Sequence, residues 1–110
     1  MDPASGLLHV VLYKLASGAS DEQRQRIERR FRDLPKQIDG VFDVWAGANN
    51  SQSRFAADWS FGVVMTLRDR EARDAFLQHE AHLSISRDAA NGFYEDVTVF
   101  DLDIPPEVVE

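Results

Sequence analysis

All three histidines of this chain sit in two short phrases: His9 heads a strand-like run, and His79 and His82 flank Glu-Ala in His-Glu-Ala-His. Histidine is the side chain whose ordinary pKa lets it exchange protons near neutral pH. The second phrase closes a stretch in which Ala72, Ala75, Phe76 and His79 recur at helical spacing, so its histidines are expected to face the interior. His82 is the candidate catalytic residue, since burial favours the neutral imidazole, which can accept a proton. His9, Trp59, Phe61, Phe76 and His79 are the expected substrate-binding residues around it, with Met65 as a further apolar wall. Each has a simpler reading. An aromatic stripe can be plain core, His82 can lock a helix junction through a backbone carbonyl, and His79 can meet the last carbonyls of its helix. His9 can face either the helices or another subunit. The phenols of Tyr13 and Tyr94 are the remaining groups that could reach such a site and hold an oxygen.

Other chemistries lack their residues. No cysteine is present, which removes a thiol nucleophile, thiolate metal ligands and disulfides. His-Glu-Ala-His is not the zinc-peptidase pattern, whose histidines stand four apart, so no metal and no cofactor are expected. No glycine-rich turn opens a helix to cradle phosphate.

The elements that must position these residues can be read from periodicity. Leu7 to Leu15 alternates as a strand, with His9, Val11, Tyr13 and Leu15 on one side and Leu8, Val10, Leu12 and Lys14 on the other. Ser20 followed by Gln23 forms a capping box for a helix whose apolar stripe is Ile27, Phe31 and Leu34. Pro35 disfavours helical geometry at Leu34, and Asp39-Gly40 supplies a turn. Strands are expected over Val41 to Gly47, Trp59 to Leu67 and Asp96 to Leu102. Asp69 caps the second helix, which continues more loosely toward Asn91-Gly92. In the third strand Trp59, Phe61, Val63, Met65 and Leu67 share a face, while Phe42 and Trp45 fall on opposite faces of the second.

The order is β-α-β-β-α-β, an α+β chain with the split βαβ pattern of ferredoxin-like folds: a four-stranded antiparallel sheet with both helices on one face. Several strands are apolar on both sides, which a one-sided sheet in water does not need. A second sheet from a twofold-related copy is therefore expected, giving a homodimer.

With 110 residues the chain is expected to form a single domain, with residues 1–6 and 104–110 as flexible tails. Its net charge of −7 opposes nucleic-acid binding, and the arginines of the first helix are mixed with acids as on a solvated face. No apolar run reaches the length of a membrane span, and Met1 to Gly6 has no signal-peptide character, so a cytoplasmic protein is expected.

Four stretches carry a resemblance to a known family: His9-Val10-Val11-Leu12-Tyr13-Lys14-Leu15, Leu34-Pro35-Lys36-Gln37-Ile38-Asp39-Gly40-Val41, Phe76-Leu77-Gln78-His79-Glu80-Ala81-His82 and Glu95-Asp96-Val97-Thr98-Val99-Phe100-Asp101. In this order the chain resembles the stress-responsive dimeric α/β-barrel (Dabb) proteins. The resemblance implies two sheets packed face to face, with a cavity between sheet and helices in each subunit. Its best understood members, plant polyketide cyclases, close rings by cofactor-free aldol chemistry. They use a histidine that matches His82, assisted by a helix tyrosine whose position is Phe76 here. A further histidine of those enzymes falls at Phe61, and their proline between the two histidines is Glu80. With those polar groups absent, cyclase activity is not carried over, whereas the fold and His82 are. Dimeric α+β-barrel monooxygenases share the architecture, but the His-Glu-Ala-His phrase and the ending favour the Dabb proteins. The function expected is binding of a small, mostly apolar carbonyl-bearing molecule between sheet and helices, with histidine acid–base catalysis. The alternative is a non-catalytic, stress-associated dimer.

Overall fold

The computed structural model describes residues 6–105. The chain begins with strand β1 (Gly6–Leu15), whose alternate residues Leu7, His9, Val11 and Tyr13 are buried. Ser20 then caps helix α1 (Asp21–Arg32) by accepting from the Gln23 N–H. Acidic residues open α1 and arginines close it, matching the helix dipole. Only half of the expected capping box forms. The Gln23 amide, instead of reaching back, donates to the Asp88 and Asn91 carbonyls at 3.0 and 3.1 Å. A buried amide finds more acceptors there than the cap offers.

The helix does not run to Leu34. It stops at Asp33, and a one-turn helix α2 (Leu34–Gln37) follows, with Pro35 in its first turn, where a missing N–H costs nothing. Gly40 makes the tight turn at φ +88°, and a Cβ there would lie 2.7 Å from Cβ of Ala72, so the position needs glycine on both counts. Strand β2 (Val41–Ala48) follows, with a bulge around Phe42 that breaks the strict alternation and leaves Phe42 exposed beside an exposed Trp45.

A loop with one 3-10 turn (Arg54–Ala56) leads to β3 (Phe61–Leu67), two residues later than expected. Trp59 belongs to the loop, because its N–H donates to Ala56 O across the turn at 3.3 Å. Helix α3 (Arg70–Gln78) is capped by Asp69, which accepts from Ala72 N–H at 2.8 Å. The expected continuous stripe ends early. Ala72 and Phe76 are buried, but Ala75 and His79 are exposed, and His79 is extended at ψ 139°. A distinct helix α4 (Glu80–Ala90) then starts, and strand β4 (Tyr94–Ile104) closes the fold.

The four strands lie in the antiparallel order β2-β3-β1-β4, the split βαβ arrangement expected from the sequence. Gly6 and Ile104 are not tail residues but pair with each other at the end of the sheet; residues 1–5 and 106–110 of the expected tails lie outside the described residues. The core fills the space between the sheet and its helices, with Ile27, Leu34, Phe61, Val63, Met65, Phe76, Ile85 and Phe93 almost fully enclosed. No helix among the described residues is long and apolar enough to cross a membrane.

The other face of the sheet carries Leu8, Val10 and Leu12 on β1, Val64 on β3, Trp45 on β2 and Phe100 and Leu102 on β4. Trp45 and Phe100 are 57% and 61% exposed in the single chain. At its β2–β3 end this face is hollowed to about 600 Å³ by Trp45, Phe55, Trp59 and their neighbours.

Candidate functional site

Strand β1 and helices α3 and α4 bring two of the three histidines to one cavity of about 360 Å³ between sheet and helices. His9 reaches it because odd-numbered residues of β1 point toward the helices. It is 2% exposed. Its antiparallel partner on β4 is Asp101, and His9 Nδ1 donates to Asp101 Oδ1 at 2.6 Å. The other carboxylate oxygen accepts from Arg73 Nη1 at 3.4 Å. With Nδ1–H donated to Asp101, His9 has no hydrogen-bond partner for Nε2 among the described residues.

His82 lies on the first turn of α4 and is half-buried. Its Nδ1 donates to the Leu77 carbonyl at 3.1 Å, which fixes the tautomer and leaves a lone pair on Nε2. The Ser86 hydroxyl, one helical turn on, donates to that Nε2 at 3.3 Å. Burial pushes the His82 pKa below its usual 6.5; the Leu77 carbonyl opposes this and nearby His9 adds to it. His82 is thus a neutral base near pH 7. The Phe76 ring separates the two histidines, edge-on to His9 at 5.4 Å between centroids and 4.4 Å from His82.

Tyr13 and Tyr94 both line this cavity, their rings 5.5 Å apart. Burial, and then the neighbouring Tyr94, push the Tyr13 pKa up to about 12, so its phenol stays protonated. Val97 and Val99 of β4 and Phe31 of α1 complete an apolar wall.

The remaining expected site residues lie elsewhere. His79 is exposed between α3 and α4 and caps α4, its Nδ1 accepting from Ala81 N–H at 3.0 Å. It meets an N–H of the following helix rather than carbonyls of the preceding one. Phe61 is core, packed against Tyr13 and Phe93 at 6.1 and 5.7 Å. Trp59 lies on the opposite face of the sheet, its ring under Lys14 Nζ at 4.8 Å, and lines the larger hollow there. Among the described residues no cluster could hold a metal ion.

Two polar members of the cavity were not singled out from the sequence. Asp101 follows Val97 and Val99 on the same side of β4, with Asp103 next in that row, and an acid directly after two valines of one face was its signal. Ser86 is four residues after His82, the helical neighbour spacing.

A sheet with helices on one face and a histidine cavity between the layers defines a class of small α+β barrel-forming domains, and the comparisons place the chain within it. The family described as the Stress responsive A/B Barrel Domain, Dabb, matches residues 7–104. The chain belongs to that family. Among solved structures it is similar to the Arabidopsis thaliana protein At3g17210, at 20% identity and TM-score 0.80 over 94% of this chain and 98% of that one. A hydroxynitrile lyase from Passiflora edulis superposes with TM-score 0.82 at 15% identity, over 97% of this chain and 100% of that one. A dimeric ferredoxin-like protein of unknown function from Thermobifida fusca matches with TM-score 0.76 at 19% identity, over 90% and 91%. At these identities the likeness is one of fold. No curated protein matches the chain.

Proposed function

We propose that this Dabb protein is a homodimer that binds a small, mostly apolar carbonyl compound in the histidine cavity of each subunit, and that His82 works there as a cofactor-free acid–base residue. The observation that carries this reading is the state of His82: its Nδ1 proton is held by the Leu77 carbonyl, so Nε2 carries the lone pair, which the Ser86 hydroxyl meets at 3.3 Å at the edge of a mostly apolar space. Nε2 takes a proton from a hydroxyl, or from a carbon next to a carbonyl, and the imidazolium returns it once the bond has been made or broken. His9, oriented by Asp101, is a second proton carrier on the opposite wall. Aldol ring closure of the polyketide-cyclase kind and the hydroxynitrile lyase activity named for the Passiflora neighbour are both carbonyl chemistries of this class.

The apolar open face of the sheet supports the homodimer, as do the dimeric descriptions of the neighbours from Thermobifida fusca and Bacteroides fragilis. A non-catalytic binding dimer is the second reading. It is favoured by the Leu77 contact, since a structural histidine also rests on a backbone carbonyl.

Thermal-shift and turnover assays of wild type and His82→Ala against aromatic ketones and short β-diketones test the first reading. A bound ligand stabilises by RT ln(1 + [L]/Kd), about 2.7 kcal/mol at a hundredfold excess over Kd. The expected result is a ligand-dependent rise in Tm, with turnover falling at least about a hundredfold in the variant, the usual contribution of acid–base catalysis. Equal ligand binding by both proteins without any turnover would favour the binding dimer.

A further inference from the structure

We propose that the Tyr13 hydroxyl holds the ligand's oxygen in the histidine cavity, and that the ligand is accordingly a neutral ketone or aldehyde rather than a carboxylate or phosphate. The inference rests on the carbonyl-binding reading of that cavity and specifies how the ligand lies in it. Tyr13 is 6% exposed, yet its Oη makes no hydrogen bond to any described residue. No side-chain polar atom of the described residues is both sealed from solvent and unpartnered, so this Oη keeps some accessible surface, and Tyr13 is one of the residues that line the cavity. A phenol in such a place gains a hydrogen bond when a ligand oxygen arrives.

The ring is held in position. Phe93 meets it edge-on at 5.4 Å, Phe61 lies at 6.1 Å and Tyr94 at 5.5 Å. The Tyr13 carbonyl is itself tied to Ser60 N–H at 2.9 Å, so the donor is carried on a fixed strand. A pKa pushed up to about 12 keeps it a neutral donor at working pH. Tyr94 is only half-buried, at the start of an edge strand, where solvent can serve its hydroxyl.

The charge around the cavity selects against anions. Among the described residues its one formally charged lining residue is Asp101, and neither lysine nor arginine lines it. Arg73, the nearest guanidinium to Asp101, is already shared between Asp74 and Asp101. An anionic ligand would meet a carboxylate and no free cation.

The test compares acetophenone carrying a 13C carbonyl with ethylbenzene, which lacks the oxygen, on wild type, Tyr13→Phe, Tyr94→Phe and His82→Ala. Affinity is read by calorimetry and the bound carbonyl stretch by infrared difference spectroscopy. Tyr13→Phe is expected to weaken acetophenone about tenfold, as for one lost hydrogen bond to a buried donor. It should leave ethylbenzene binding and Tm unchanged and return the carbonyl band toward its position in an apolar solvent. Fluorotyrosine incorporated in a Tyr94→Phe background supplies a variant with little change of shape; the more acidic phenol should move the band further down.

An unchanged band in Tyr13→Phe, or a band that moves in Tyr94→Phe instead, overturns the assignment while the carbonyl site stands. Equal loss of both ligands in Tyr13→Phe reduces Tyr13 to a packing residue and overturns it too. Wild type that binds neither ketone nor hydrocarbon sinks the carbonyl-binding reading and this inference together. Benzoate binding as tightly as acetophenone overturns the selection against anions.

Discussion

His82 couples the fold to pH through a single ring. Burial lowers its pKa below 6.5 in the folded chain, so between the two values the unfolded state binds more protons than the native one. Stability therefore rises with pH across that window and is lost as pH falls through the folded pKa. The His82 ring, followed by NMR, should titrate with a midpoint below 6.5. Wild type should also lose more Tm than His82→Gln between about pH 7.5 and about pH 5. Any turnover that uses the Nε2 lone pair should show its acidic limb at the same midpoint. The histidine phrases were legible in the sequence because residue type alone marks them. Asp101 was not, since an aspartate near the end of an edge strand looks solvent-facing until the antiparallel register sets it opposite His9.

At the scale of elements, the placement of His82 depends on how α4 is joined to its neighbours. Gln23 of α1, 8% exposed, ties the two helices by donating to Asp88 O, Asp88 Oδ1 and Asn91 O near the end of α4. Arg26 adds a two-pronged contact to the same carboxylate, which holds the Asp88 pKa below the ordinary aspartate range. Gln23→Leu keeps the volume but leaves those acceptors without their buried donor. It should cost about 1–3 kcal/mol, read as a lower urea midpoint with an unchanged m-value. The capping pattern at Ser20 and Gln23 was legible; the destination of the Gln23 amide was not, because its partners lie some 65 residues away in the chain. The junction between α3 and α4 was legible near the histidine phrase, but its exact form was not. The apolar period runs through His79, and only the cap that His79 makes with Ala81 N–H shows two helices in place of one.

For the whole molecule, the decisive feature is a sheet that is apolar on the side its own helices do not cover. Trp45 and Phe100 lie on that side with Val10, Leu12, Val64 and Leu102. A contiguous apolar surface of this kind is what the proposed homodimer would cover. Wild type should sediment as a dimer. Trp45→Glu or Phe100→Asp should place a charge on the apolar face that the proposed dimer covers and yield monomers at micromolar concentration, checked by analytical ultracentrifugation. The His82 ring titration should survive in those monomers if each cavity belongs to one subunit. Its loss would tie the site to the partner sheet.

The order of elements, the two-sided strands, the helix caps and the histidine phrases follow from the sequence alone, because each is a matter of local spacing or residue type. The tertiary structure decided which residues meet. Strand register joined His9 to Asp101, a bulge took Phe42 out of alternation, and a loop turn carried Trp59 to the far face of the sheet. The His79 extension left that ring outside while His82 turned inward. The register and the bulge rest on pairs distant in the chain, about which local periodicity holds no information, and the turns at Trp59 and His79 are set by short-range hydrogen bonds that the apolar period does not encode.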